Sequence, residues 1–126
     1  MKYSELTRRY FESAACAGRL PDAFRGAAGN RQHGTWVQFD LQVNSAVILD
    51  TRFLAFGCPH TIAVAAWLAE QSLGAPLQRE MPESVAALRE RFAVPVEKLG
   101  RLLLVEDAWT AAVGAAIDSA LGAHTS

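Results

Sequence analysis

The sequence has little of what would place it in several common classes of protein. Its two cysteines, Cys16 and Cys58, are too few for a disulfide framework, so a reducing cytoplasm is the expected compartment. Twelve basic and 13 acidic residues leave a net charge of −1 with no long block of one sign, which argues against nucleic-acid binding. No apolar run is long enough to cross a bilayer, and the charged start of the chain has no signal-peptide core. We therefore expect no membrane segment.

Sequence motifs of the common enzyme classes are also missing. There is no glycine-rich phosphate loop, no nucleophile elbow and no His-Glu-x-x-His pair. The chain is therefore not expected to be a freestanding enzyme. Its 126 residues predict a single domain, 1–126, that is long enough to bury a core without metal or disulfide staples.

The hydrophobic pattern indicates an α+β fold. Between 36 and 43, Val37, Phe39 and Leu41 alternate with polar residues, which is typical of a half-buried strand. The strand after it loses its alternation around 50–52, where a β-bulge would explain the change of face. Helices are predicted at 4–13, 59–73, 82–92 and 101–121, and strands at 23–28, 36–43 and 46–56. This order predicts a small antiparallel sheet of about three strands, with helices packed on one of its faces.

The turn between the last strand and the second helix is the most informative stretch. Pro59 suits the first position of a helix, which places Cys58 at or beside the N-cap. Unpaired N–H groups and the positive end of the helix dipole should lower the pKa of a thiol there and favour the thiolate. The alternative is that Cys58 is a small buried side chain with no chemical role.

Several segments, in this order, resemble the IscU/NifU-type scaffold proteins for iron–sulfur cluster assembly. They are YSE at 3–5, VILD at 47–50, FLAFGC at 53–58, VPVEK at 94–98 and EDA at 106–108. The resemblance covers nearly the whole chain and implies the α+β fold of that family. It also implies a role in cluster assembly, with a cysteine desulfurase or other assembly proteins as partners.

The metal ligands of that family are mostly absent from this sequence. The active members bind metal through three cysteines, an aspartate near the first and often a histidine before the third. The matching positions here hold His33, Thr35, Cys58, Gly100 and Arg101. One thiolate remains of three, and a guanidinium cannot coordinate a metal ion. The resemblance therefore implies a divergent member that is unable to hold a conventional iron–sulfur cluster.

Three readings of this site stay open. In the first, the thiolate of Cys58 carries sulfur as a persulfide or takes part in assembly by binding partners. In the second, His33, Cys58 and His60 form a residual Zn²⁺ site. In the third, no chemistry remains and the chain is an interaction module, for which Trp36, on the polar face of its strand, is the candidate contact.

A proline-containing loop is the remaining candidate for partner binding. The resemblance matches Pro95, Val96, Glu97 and Lys98 to the loop by which the family is recognised by a dedicated chaperone. Glu97 stands where the family prefers an apolar residue, so this match puts recognition by that chaperone in question.

Overall fold

The structure, a computed structural model, describes the backbone of residues 3–13 and 15–125 and the side chains as far as residue 119. The strands are β1 (Phe24–Asn30), β2 (Thr35–Asn44) and β3 (Val47–Phe56). The helices are α1 (Glu5–Glu12), α2 (Pro59–Ser72), α3 (Val85–Arg91) and α4 (Leu99–Thr125), with short 3-10 turns at Arg31–His33 and Val96–Lys98. The predicted apolar face of the last helix beyond residue 119 lies outside the described side chains.

The three strands form one antiparallel sheet in the order β1-β2-β3, which confirms the predicted fold class. Ser45 and Ala46 join β2 to β3 and both have positive φ, as a tight two-residue hairpin requires. Gln42 pairs with Asp50 and the next residue along β2 pairs with Ile48, so Leu49 is the extra residue of a β-bulge. The bulge therefore precedes the predicted stretch 50–52.

The helices cover one face of the sheet and bury the alternating apolar side chains of β2. Val37, Phe39 and Leu41 are fully buried there, and the Phe39 and Trp109 rings meet edge to face at 5.2 Å. Helix α1 packs on α2 through Tyr10, whereas Phe11 is exposed. No helix in the described part of the chain is both long and apolar enough to span a membrane.

Helix α4 lies directly against β1 because β1 has a glycine at the crossing point. A Cβ placed on Gly26 would lie 2.1 Å from the backbone nitrogen of Ala112 and 2.7 Å from the carbonyl oxygen of Ala108. No side chain fits between the two elements at this point. This contact fixes the position of α4, whose first turn carries Arg101.

The opposite face of the sheet holds a buried carboxylate. Asp40 accepts two hydrogen bonds from the Arg25 guanidinium, at 2.8 and 3.0 Å, and one from the backbone N–H of Leu20 at 3.0 Å. Burial by itself would raise the pKa of Asp40, but these donors outweigh it and hold the pKa below its usual value. The interaction fastens the connector after α1 to the sheet.

That connector also covers part of the outer edge of β3. The backbone of Phe53 donates to the carbonyl of Cys16 at 2.8 Å and accepts from the N–H of Gly18 at 2.9 Å. Cys16 is buried in this contact, and burial raises the pKa of its thiol.

Candidate thiol site at the start of α2

Cys58 lies at the junction between the end of the sheet and the first turn of α2. It is the N-cap residue of the helix, and Pro59 follows at the start of the helix, as the sequence predicted. A Cβ on Gly57 would lie 3.5 Å from the Thr61 hydroxyl and 3.6 Å from the carbonyl oxygen of Gly34. The loop before β2 therefore borders the cysteine turn.

The sulfur of Cys58 is half-buried among hydrogen-bond donors. Its Sγ atom lies 3.5 Å from the Thr61 hydroxyl oxygen. Burial alone would raise the pKa of the thiol. The Thr61 hydroxyl and N–H, the Arg101 guanidinium and the His60 N–H together outweigh burial, so the pKa lies below its usual value. This environment favours the thiolate, the nucleophilic form of cysteine.

Arg101 reaches the sulfur from the first turn of α4. Its guanidinium is near enough to Cys58 to help lower the pKa of the thiol, so the C-terminal helix adds a positive charge beside the turn between β3 and α2. The residue before it, Gly100, is exposed, and a Cβ there would meet no atom within 4 Å. The two positions matched to family ligands on α4 thus differ, since Arg101 contacts the thiol and Gly100 faces open space.

The positions matched to the first cysteine and its aspartate lie on the neighbouring loop. His33 ends the 3-10 turn before β2 and its side chain is exposed, whereas Thr35 is buried at the start of the strand. Trp36 pairs with Phe56 across the sheet, which sets Thr35 beside the residues that lead to Cys58. The backbone of this loop therefore adjoins the site, but the His33 ring is in solvent.

His60 is buried in the first turn of α2. Its ring is 3% exposed and meets the Tyr3 ring edge to face at 4.8 Å between ring centres. Burial, followed by the positive charges of Lys98 and Arg101, lowers the pKa of His60, so the ring is neutral at neutral pH. Its Nδ1 atom has no hydrogen-bond partner among the described residues.

The predicted Zn²⁺ site is not assembled. In the described ranges 3–13 and 15–125, no three side chains of His, Cys, Asp or Glu are placed to hold a metal ion together. The His33 side chain is exposed, and the His60 ring is buried against Tyr3. A guanidinium beside the one sulfur adds positive charge where a cation would sit. These residues do not fit a metal ion or a cluster held by thiolates.

The loop matched to the chaperone-recognition loop is a surface turn before α4. The Lys98 N–H donates to the Pro95 carbonyl at 2.9 Å and closes a 3-10 turn. Val96 is 67% exposed and Glu97 is also exposed, while the Lys98 ammonium lies 5.9 Å from the centre of the Tyr3 ring. The turn therefore presents an apolar and an acidic side chain to solvent near the thiol site.

Two aromatic residues, Trp36 and Phe56, lie side by side next to the site. The sequence predicted only Trp36 as a candidate contact. Phe56 is 50% exposed and pairs across the sheet with Trp36, on whose ring the Arg31 guanidinium stacks at 4.6 Å. We call Arg31, Trp36 and Phe56 the aromatic patch. Alternation along both strands could have placed Phe56 on the face that carries Trp36, only two residues before Cys58.

The fold is a small antiparallel sheet covered by helices on one face, and a cysteine caps the helix after the last strand. These features define a class of small α+β scaffold domains. A family model described as the NifU-like N terminal domain matches residues 2–118. The chain belongs to this family, whose members include scaffold proteins for iron–sulfur cluster assembly.

Relatives from several organisms agree with this assignment. The chain is 29% identical over 118 residues to the iron–sulfur cluster assembly scaffold protein IscU of Azotobacter vinelandii, covering 90% of this chain and 92% of that protein. It is 30% identical over 116 residues to iron–sulfur cluster assembly protein 2 of Arabidopsis thaliana, covering 88% of this chain and 71% of that protein.

Solved structures share the fold at low sequence identity. The crystal structure of a NifU-like protein, N-terminal part, from Brucella abortus superposes with a TM-score of 0.70 at 16% identity, over 89% of this chain and 92% of that one. A protein described as an assembly scaffold for the SUF system of Fervidobacterium islandicum AW-1 gives a TM-score of 0.73 at 19% identity, over 88% and 96% of the two chains.

Proposed function

We propose that this chain is a divergent member of the family that serves iron–sulfur cluster assembly as a sulfur carrier, through the single thiol of Cys58. The observation that carries the proposal is the donor set around the sulfur. The N-terminus of α2, Thr61 and Arg101 all stabilise negative charge on Cys58. The chain acts stoichiometrically and is not itself an enzyme.

The chemistry required of Cys58 is one thiol exchange. The Cys58 thiolate attacks the outer sulfur of a donor persulfide, R–S–SH, and a new S–S bond forms while the donor S–S bond breaks. The electron pair leaves with the donor as R–S⁻, and the proton stays on the transferred sulfur, so the products are Cys58–S–SH and R–S⁻. No external oxidant is needed, since the transferred sulfur keeps its oxidation state.

The source of sulfur that we propose is a cysteine desulfurase, in line with the cluster-assembly role named for the relatives. Such a partner must cover Cys58 to deliver a sulfur atom. The aromatic patch of Arg31, Trp36 and Phe56 lies next to Cys58 and offers the aromatic and arginine side chains that interfaces favour. Transfer of this kind needs free thiols, so we place the protein in a reducing cytoplasm.

The exposed turn before α4 is a second contact surface in this proposal. Val96 is the most exposed large apolar side chain near the thiol, and Glu97 beside it differs from the family pattern. We propose that Pro95, Val96, Glu97 and Lys98 contact an assembly partner other than the dedicated chaperone.

Mass spectrometry after incubation with a cysteine desulfurase and L-cysteine tests the proposal. We expect the peptide that contains Cys58 to gain the mass of one sulfur atom, and the peptide that contains buried Cys16 to stay unmodified. The Cys58→Ser variant should gain nothing. A Cys58 that stays unmodified while a scaffold with three cysteines is modified in the same mixture would end the sulfur-carrier proposal.

An interaction module without chemistry is the second candidate, favoured by the half-exposed Phe56 beside Trp36. Stable complex formation with the desulfurase, without any sulfur on Cys58, would support it over the first.

A further inference from the structure

We propose that the uncovered part of the sheet face opposite the helices is a docking surface for a protein partner that presents a carboxylate beside apolar side chains. This surface consists of the aromatic patch together with the next row of the sheet, Ala27, Gln38 and Leu54, and we call it the docking face. The inference deepens the proposed function and rests on it only for the identity of the partner, a cysteine desulfurase.

The extent of the docking face follows from the register of the sheet. Gln38 pairs across the sheet with Ala27 on one side and with Leu54 on the other. This row lies two residues along the strands from the pair of Trp36 and Phe56. Side chains two residues apart on a strand share a face, so the two rows adjoin and form one surface.

The connector after α1 covers the neighbouring rows of the same face. The Leu20 N–H donates to the Asp40 carboxylate at 3.0 Å, and the Gln42 side-chain amide donates to the Pro21 carbonyl at 3.0 Å. Asp40 is buried as a result. The uncovered rows therefore lie at the end of the sheet that leads to Cys58.

Apolar side chains make up most of the docking face. Phe56 is 50% exposed, and Trp36 and Leu54 are each half-buried. The polar group of the second row is already partnered, because the Gln38 amide donates to Asp40 at 3.3 Å. Adjoining exposed apolar side chains of this kind mark sites of protein interaction.

The charge of the face indicates the chemistry of its partner. Its carboxylates are already paired with arginines, namely Asp40 with Arg25 at 2.8 Å and Asp50 with Arg52 at 2.6 Å. The Arg31 guanidinium stacks on the Trp36 ring at 4.6 Å, and no carboxylate pairs with it in the part of the chain that the structure describes. The docking face therefore carries an unbalanced positive charge at its aromatic end. A carboxylate of the partner, placed against Arg31, balances this charge while apolar side chains cover the rings.

The affinity of the full chain for a cysteine desulfurase, measured by isothermal titration calorimetry, tests the apolar part of this surface. We expect Leu54→Ser to weaken binding about fivefold, as truncation of a buried interface side chain does. Leu49→Ser is the matched control, since it makes the same change on the same strand, near the hairpin, at a side chain that is 58% exposed. It should leave the affinity unchanged.

The same titration at low and high salt tests the charge. Arg31→Gln should weaken binding about fivefold at low ionic strength, the effect of one unit charge at contact distance in water. The loss should shrink as salt is added, because exposed charges are screened. Arg89→Gln removes an equal charge from α3, in the helix layer, and should bind as the wild type does at both salt concentrations.

The inference is overturned if Leu54→Ser and Arg31→Gln bind the desulfurase as tightly as the wild type, or if the wild-type chain does not bind it. Sulfur on Cys58 in the same mixtures would then still support the sulfur-carrier function. If both variants bind weakly as expected, but saturating desulfurase leaves no sulfur on Cys58 of the wild type, the sulfur-carrier function fails and the docking face stands.

Discussion

Replacing Gly26 by alanine should destabilise the protein, because the added methyl group has no room between β1 and α4. Its Cβ would lie 2.1 Å from the nitrogen of Ala112, 2.6 Å from the carbonyl carbon of Ala111 and 2.7 Å from the oxygen of Ala108. All three are backbone atoms of a helix, so α4 must move as a unit. Overpacking of this kind costs about 1–3 kcal/mol. Removing glycine from a strand returns about 0.5–1 kcal/mol, so we expect a net loss of about 1 kcal/mol in the free energy of unfolding.

The matched control is glycine-to-alanine substitution at Gly100, where the added methyl group meets no other atom. At Gly100 the added Cβ meets no atom within 4 Å, and the residue lies in α4, where alanine is favoured over glycine. Gly100→Ala should therefore raise the free energy of unfolding by about 0.5 kcal/mol. Urea denaturation followed by tryptophan fluorescence measures both values. If Gly26→Ala is as stable as the wild type, the close packing of α4 against β1 is wrong, and so is the placement of Arg101 that depends on it.

Three further outcomes follow from particular contacts. The alkylation rate of Cys58 should reach its plateau at a lower pH than that of Cys16, because hydrogen bonds lower the pKa of Cys58 despite its burial, and burial raises the pKa of Cys16; peptide mass spectrometry over a pH series separates them. The pKa of Asp40 is lower in the folded protein than in the unfolded chain. Its ionised form therefore contributes its full stabilisation at pH values above the unfolded-state pKa, and this stabilisation is lost as the pH falls through the folded-state pKa. Arg25→Gln should therefore lower the free energy of unfolding near neutral pH and start acid unfolding at a higher pH; equal acid midpoints would contradict this. Phe56→Ser should weaken docking of the desulfurase in a binding assay yet leave alkylation of Cys58 by iodoacetamide unchanged, and undiminished docking would remove the aromatic patch from the interface.

Local patterns in the sequence were sufficient to predict most of the sheet. The alternation of Val37, Phe39 and Leu41 fixes which side of β2 is buried, and the structure agrees residue by residue. The sequence predicted the bulge at 50–52, just beyond its position at Leu49 in the structure. A one-residue insertion reverses the apolar–polar alternation of every later residue, so the alternation reveals the insertion only downstream of it.

The site was predictable in part, and the limit lies in contacts between distant segments. Cys58 and Pro59 are neighbours, so their roles at the start of α2 could be read locally. The burial of His60 depends on Tyr3, which is far away in sequence and covers the ring from the N-terminal segment. The proximity of Arg101 to Cys58 depends on the packing of α4 against β1. No local pattern in the sequence predicts that packing.

The geometry also shows which of the positions matched to family ligands lie outside the core of the fold. The core is built from the inner face of β2 and the helices above it, with Phe39 against Trp109. Thr35 is buried at the start of β2, whereas two other positions matched to family ligands, His33 and Gly100, are exposed at the surface. Substitutions there change charge and coordination at little cost in packing. Membership in the family therefore determines the architecture around Cys58 and does not by itself fix the chemistry of the site.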